Sequence, residues 1–135
     1  MNVTPHLSFN GDCEAAFKFY EKSLGGKTSF IGTYAESPMA GQVPAEMGKK
    51  IMHASFSLNG TNVFSGDDSP RYSKPQGITI ALSMKDQAQA ERIFDALAEN
   101  GVVGMALQET FWALRFGMVT DRFGIPWMIN CEKPQ

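Results

Sequence analysis

Leu7, Ser8 and Phe9 alternate apolar and polar before Asn10-Gly11 interrupts them, which predicts a first strand over about residues 3–9. Asp12 can cap a helix, and Cys13, Phe17, Tyr20 and Leu24 follow at steps of four, three and four, one apolar face that Gly25-Gly26 ends. A second extended piece is expected from Lys27 to Tyr34. Residues 35–49 hold two prolines and two glycines without periodicity and read as a long loop. Ile51 to Leu58 alternates as a strand, with Met52, Ala54 and Phe56 toward the core and His53, Ser55 and Ser57 on the other side. Asn59-Gly60 is a strong hairpin signal because both residues tolerate positive φ, and Thr61 to Ser65 is the expected partner strand. Asp67 to Gln76, with Pro70 and Pro75, reads as a linker.

The pattern then begins again. Ile78 to Met84 predicts a strand, and Asp86 with Gln89 forms a capping box. Ala90, Ile93, Phe94 and Leu97 make a helix face that ends at Gly101. Extended pieces follow near 102–107, 112–119 and 125–131, the last two joined by a turn at Asp121 to Gly124. Both halves therefore read β-α-β-β-β, about 1–68 and 76–135, an internal duplication. A unit of some 60 residues leaves one face of its sheet uncovered, so the expectation is a single α+β domain whose two modules share a core. Its curved mixed sheet then wraps a cavity suited to a small ligand.

Composition narrows the function. The 135 residues carry 12 basic and 14 acidic side chains, a formal charge of −2, which offers no excess to neutralise phosphates, so neither nucleic acid nor a polybasic membrane contact is expected. No apolar run reaches the roughly 18–20 residues of a membrane span. The opening MNVTPHLSF lacks the features of a secretory signal, which predicts a cytoplasmic protein with reduced Cys13 and Cys131. GxSxG, HExxH and glycine-rich phosphate loops are absent.

Asn10-Gly11 with EAAFKFY at 14–20, the pair His53-Ala54, and above all QETFWALRFGMVTDRFGIPWMIN from Gln108 to Asn130 carry a resemblance. Over nearly its full length the chain resembles the PhnB-like branch of the vicinal oxygen chelate superfamily, the glyoxalase/bleomycin-resistance/dioxygenase fold. The resemblance implies a homodimer. It also brings the label demethylubiquinone methyltransferase, which sits badly with a sequence that contains no GxG for a nucleotide-type cofactor turn.

Metal-dependent members of that superfamily place His or Glu at four pseudosymmetric positions, on the first and last strands of each half. By the resemblance these fall here on His6, on Thr79, on Met128 in place of the family's glutamate, and on Phe64 or Ser65 according to a one-residue choice of register. One good ligand in four does not hold a divalent ion, so no cofactor is expected. A metal would bind only through His6 and an unorthodox set drawn from Asp67, His53 or Glu109.

Several other residues mix polar and aromatic character as a small-molecule site does. Glu109, Trp112 and Arg115 belong to this set, against an alternative in which Phe111, Trp112 and Phe116 are core and Arg115 pairs with Glu109 or Asp121. Strand parity lets only one of Trp127 and Met128 face the cavity, and the resemblance selects Met128. His53 has a structural alternative, a bond to a backbone carbonyl. The expected function is binding of a small, partly apolar or aromatic molecule, with Thr79, Trp112, Arg115 and Met128 as ligand contacts and His6 and Glu109 as candidate acid/base residues. The competing readings are a metal-dependent lyase, isomerase or dioxygenase with a rebuilt site, and the methyltransferase.

Overall fold

In the computed structural model, which describes residues 1–134, the chain divides into two compact units that meet between Ser73 and Lys74. The first holds β1 (His6–Phe9), α1 (Cys13–Leu24), β2 (Lys27–Thr33), β3 (Ile51–Leu58) and β4 (Thr61–Asp68). The second holds β5 (Ile80–Met84), α2 (Gln87–Ala98), β6 (Val102–Gln108), β7 (Ala113–Thr120) and β8 (Pro126–Glu132). Each is βαβββ. The sheet orders correspond, β1-β4-β3-β2 and β5-β8-β7-β6, with the first-named pair parallel and the others antiparallel. The architecture is therefore α+β, two mixed four-stranded sheets each carrying one helix.

In the first unit the apolar face of α1 lies on one side of the sheet. Phe17 packs edge-on against Phe9, Phe56 and Phe64 with centroids 5.6–6.3 Å away, and Phe56 stacks on its cross-strand partner Phe64 at 4.8 Å. Gly66 on β4 makes this approach possible, since a Cβ there would lie 2.8 Å from the Phe17 ring. The helix ends at Gly25, whose φ of +80° lets its N–H turn back to Glu21 O. Asn59 and Gly60 take positive φ in the β3–β4 turn, as the hairpin signal predicts.

Two features differ from the sequence expectation. β4 runs on to Asp68 rather than ending at Ser65, and the reason is visible in Asp68 itself, which is 1% exposed. Its Oδ1 accepts from the N–H groups of Gly11 and Cys13 at the start of α1, and its Oδ2 accepts from Ile51 N–H at the start of β3. A remote carboxylate thus serves the helix terminus where Asp12 makes no side-chain cap. The 35–49 segment also contains two short 3₁₀ turns, Ala40–Gln42 and Ala45–Met47.

In the second unit Ala90, Ile93, Phe94 and Leu97 of α2 pack over Val119, Trp127, Ile129 and Cys131. Asp86 caps α2 by accepting from Ala88 N–H, a simpler bond than the expected box with Gln89. Asp121, 3% exposed, ties the β7–β8 turn: Oδ1 accepts from Phe123 and Ile125 N–H, and Oδ2 from the indole N–H of buried Trp127. Among the described residues no helix is long and apolar enough to cross a membrane.

Candidate functional site

Strand alternation gives each sheet a second face, opposite its helix. On the first sheet, His6 pairs with Ser65, Ser65 with Ser55, and Ser55 with Phe30, so these four form one lateral row across β1, β4, β3 and β2. His53 and Asp67 belong to the same face, each two residues along its strand, from Ser55 and from Ser65. Three rings lie over the small serines: His6 and His53 are nearly parallel with centroids 6.0 Å apart, and Phe30 follows His53 at 6.0 Å. Phe30 is 49% exposed. It also lines a cavity of about 340 Å³ along the outer edge of β2, bounded by Thr33, Glu36, Ser37, Pro38 and Met52.

The polar contacts on this face are specific. His6 Nδ1 lies 2.6 Å from Ser65 Oγ, and its Nε2 lies 3.2 Å from Asp67 Oδ2. The carboxylate can only accept, so the neutral imidazole carries its proton on Nε2 and Nδ1 accepts from the Ser65 hydroxyl. Among the described residues the buried Asp67 Oδ1 has no hydrogen-bond partner, and the carboxylate is held through His6 at Oδ2. His53 Nε2 lies 3.3 Å from Ser55 Oγ, not on a backbone carbonyl. Beside the cavity, Glu36 accepts from the Thr33 hydroxyl and then from its N–H, which holds the Glu36 carboxyl below the usual range.

The second sheet's open face differs in kind. Met118 and Met128 are cross-strand partners, Ala81 pairs with Met128, and Phe116 pairs with Asn130. Trp112 packs edge-on against Phe116 at 5.2 Å and is 47% exposed, while neighbouring Phe111 is 88% exposed. Trp127 faces the helix, which leaves Met128 on the open face as parity and resemblance together suggested.

The remaining candidate residues spread out. Arg115 reaches α2, with Nε 3.3 Å from Glu91 Oε1 and Nη1 donating to Leu114 O, so its partner is neither Glu109 nor Asp121. Glu109 lies in the segment after β6, well exposed, 3.6 Å from Lys133 Nζ. It belongs to the unit that does not contain His6. Phe111 and Trp112 are not core, contrary to the packed alternative, whereas Phe116 is. Thr79 precedes β5, and the register places Ala81 opposite Met128 as His6 is opposite Ser65. Ala81, not Thr79, is therefore the counterpart of His6.

The same register settles Ser65 over Phe64. The four positions of the metal-dependent superfamily members thus carry an imidazole, a hydroxyl, a methyl and a thioether. Both His6 nitrogens face hydrogen-bond partners, and among the described residues no group of three or more His, Cys, Asp or Glu side chains could hold a metal. This donor set does not fit a divalent ion. The thiols offer no alternative nucleophile: burial, with the Asp68 carboxylate second, pushes Cys13 far up, and burial followed by Asp86 raises Cys131.

Comparison with known proteins adds the following. The family model 3-demethylubiquinone-9 3-methyltransferase matches residues 1–130. Protein YjdN of Escherichia coli K12 is 38% identical over 144 residues, spanning 100% of this chain and 98% of YjdN. The crystal structure of PA1353 from Pseudomonas aeruginosa aligns with a TM-score of 0.88 at 42% identity, covering 99% of each chain. The PhnB protein of Bacillus cereus, which carries the 3-demethylubiquinone-9 3-methyltransferase name, aligns at 0.80 and 23% identity over 97% of this chain and 99% of its own, a likeness of fold.

Proposed function

We propose, from the premise that this chain belongs to the PhnB-like branch of the vicinal oxygen chelate superfamily, that it binds a small planar, partly aromatic molecule on the open face of its first sheet. The row of rings carries this reading. Phe30, His53 and His6 offer successive faces about 6.0 Å apart, and the serine hydroxyls beneath can orient polar substituents. The cavity beside Phe30 extends the contact area, with Glu36 at its rim.

Binding proceeds without a metal in this reading, because His6, Ser65, Ala81 and Met128 do not make a ligand set. Methyl transfer is carried by the family name alone, and the sequence has no GxG turn for a nucleotide-type cofactor. We take the protein to be cytoplasmic, a reading that its two free buried cysteines support, and, by the family resemblance, a homodimer. Light scattering on the purified protein tests the dimer.

The test of function is thermal stabilisation by a panel of planar aromatic acids and amides, alongside zinc, manganese and S-adenosylmethionine. A ligand at 100 times its Kd stabilises by about 2.7 kcal/mol. The expected result is a shift with aromatic compounds that Phe30→Ala and His53→Ala reduce. A shift with metal ions or S-adenosylmethionine and none with aromatics refutes the proposal.

A further inference from the structure

Among the hydroxyls on the open face, Ser65 has the shortest link to a base. Its Oγ is 2.6 Å from His6 Nδ1, and the far nitrogen of that ring is 3.2 Å from Asp67 Oδ2. Asp67 holds the proton on Nε2, so the lone pair of Nδ1 points at the Ser65 hydroxyl. Nucleophile, base and orienting carboxylate are in hydrogen-bond succession, the requirement for an activated serine on any fold. All three come from the edge pair of strands β1 and β4, whose parallel register brings His6 beside Ser65.

We propose that Asp67, His6 and Ser65 form a proton relay that makes Ser65 Oγ a nucleophile toward the carbonyl carbon of an aromatic ester. This rests on the ligand face proposed above. In the first step Oγ bonds to the carbonyl carbon, the Ser65 proton passes to His6 Nδ1, and the carbonyl π pair moves onto oxygen. As that pair returns, the bond to the leaving alkoxide breaks and His6 returns its proton to it, leaving acyl-Ser65 and an alcohol. Water repeats the sequence on the acyl group, with His6 again taking and giving the proton, and releases a carboxylic acid. The Ser65 N–H donates to Pro5 O and cannot serve the oxyanion. That role falls to side-chain donors of the face, Ser55 and His53, in both steps; with an activated ester, whose nitrophenolate leaves far more readily than the serine alkoxide, acylation outpaces deacylation and the acyl-enzyme accumulates.

The probe is p-nitrophenyl benzoate, followed by nitrophenolate release and by peptide mass spectrometry after an acid quench. The expected result is a stoichiometric burst with the benzoyl group on Ser65. The burst rate falls about 100-fold or more in Ser65→Ala and in His6→Gln. Asp67→Asn slows the burst with an unchanged thermal midpoint, and Asp67→Glu restores part of it, as a positioning residue requires. A benzoyl group found only on lysines, or an unchanged burst in Ser65→Ala, overturns the relay. Benzamide, which binds without reacting, separates the two proposals by thermal shift. Stabilisation retained in Ser65→Ala with no burst from the wild type overturns the relay alone. Labelling of Ser65 without stabilisation by benzamide supports the relay and overturns the ligand face.

Discussion

Replacing Asp68 with Asn tests the structural core of the first unit at a single atom. The carboxylate is 1% exposed and accepts three backbone N–H groups at 2.9–3.0 Å, from Gly11, Cys13 and Ile51. Asparagine keeps the shape and one acceptor oxygen, which can still serve Gly11 and Cys13. Its amide group then faces Ile51 N–H, donor against donor, at a residue only 4% exposed. The lost bond to a charged acceptor together with a stranded buried N–H amounts to about 2–4 kcal/mol. That is a substantial part of the roughly 5–15 kcal/mol that holds a domain of this size. Urea unfolding followed by far-ultraviolet circular dichroism measures the loss, and a thermal midpoint lower by about 10 °C accompanies it. Amide exchange at Ile51 should speed up beyond the global change. A variant within about 0.5 kcal/mol of wild type refutes the assignment of Asp68 as the tie between α1 and β3.

Asp121→Asn sets a donor against the Trp127 indole N–H and costs about 2–3 kcal/mol, checked by urea unfolding and by a change in Trp127 emission in the folded state. Cys13 stays protonated at neutral pH because burial and Asp68 both raise it, so an aromatic disulfide reagent should react with it only as fast as the protein unfolds; rapid reaction in native buffer contradicts this. Glu36 is depressed by its bonds from Thr33, so its contribution to the 33–36 turn is complete above the ordinary glutamate pKa and disappears as pH falls through the lower folded value. The Thr33 amide shift in an acid titration reports it, and a midpoint at or above the ordinary glutamate value refutes the bond.

The duplicated βαβββ pattern was readable because it rests on local signals: a helix face at steps of three and four, a hairpin Asn-Gly, glycines past helix ends. Asp67 and Asp68 show where such signals fail. In sequence they open a stretch rich in Ser, Pro and charge, and so read as linker; in the fold they end β4, because their partners on β1, α1 and β3 lie 17 or more residues away in the chain. His6 and Met128 were placed on open faces by parity and resemblance. Thr79 lies two residues before Ala81, the residue opposite Met128; the pairing of β5 with β8 joins segments more than 40 residues apart and leaves no local signal. Phe30 becomes conspicuous only once the strands line it up with Ser55, Ser65 and His6, since it stands alone in its own segment. The long stretch from Gln108 to Asn130 that carries the family resemblance owes part of its distinctiveness to Asp121 and Trp127, which hold a turn.

Asp67 and Asp68 are neighbours in the chain, yet the pleat sends them to opposite sides of the sheet, one to the exposed rings and one to the helix. Change on the exposed side is therefore insulated from change on the hidden side. Substitutions among His6, Phe30, His53, Ser55 and Ser65 leave the Phe17–Phe56–Phe64 cluster and the Asp68 tie untouched, so descendants of this chain are free to vary the exposed row while inheriting the same folded body.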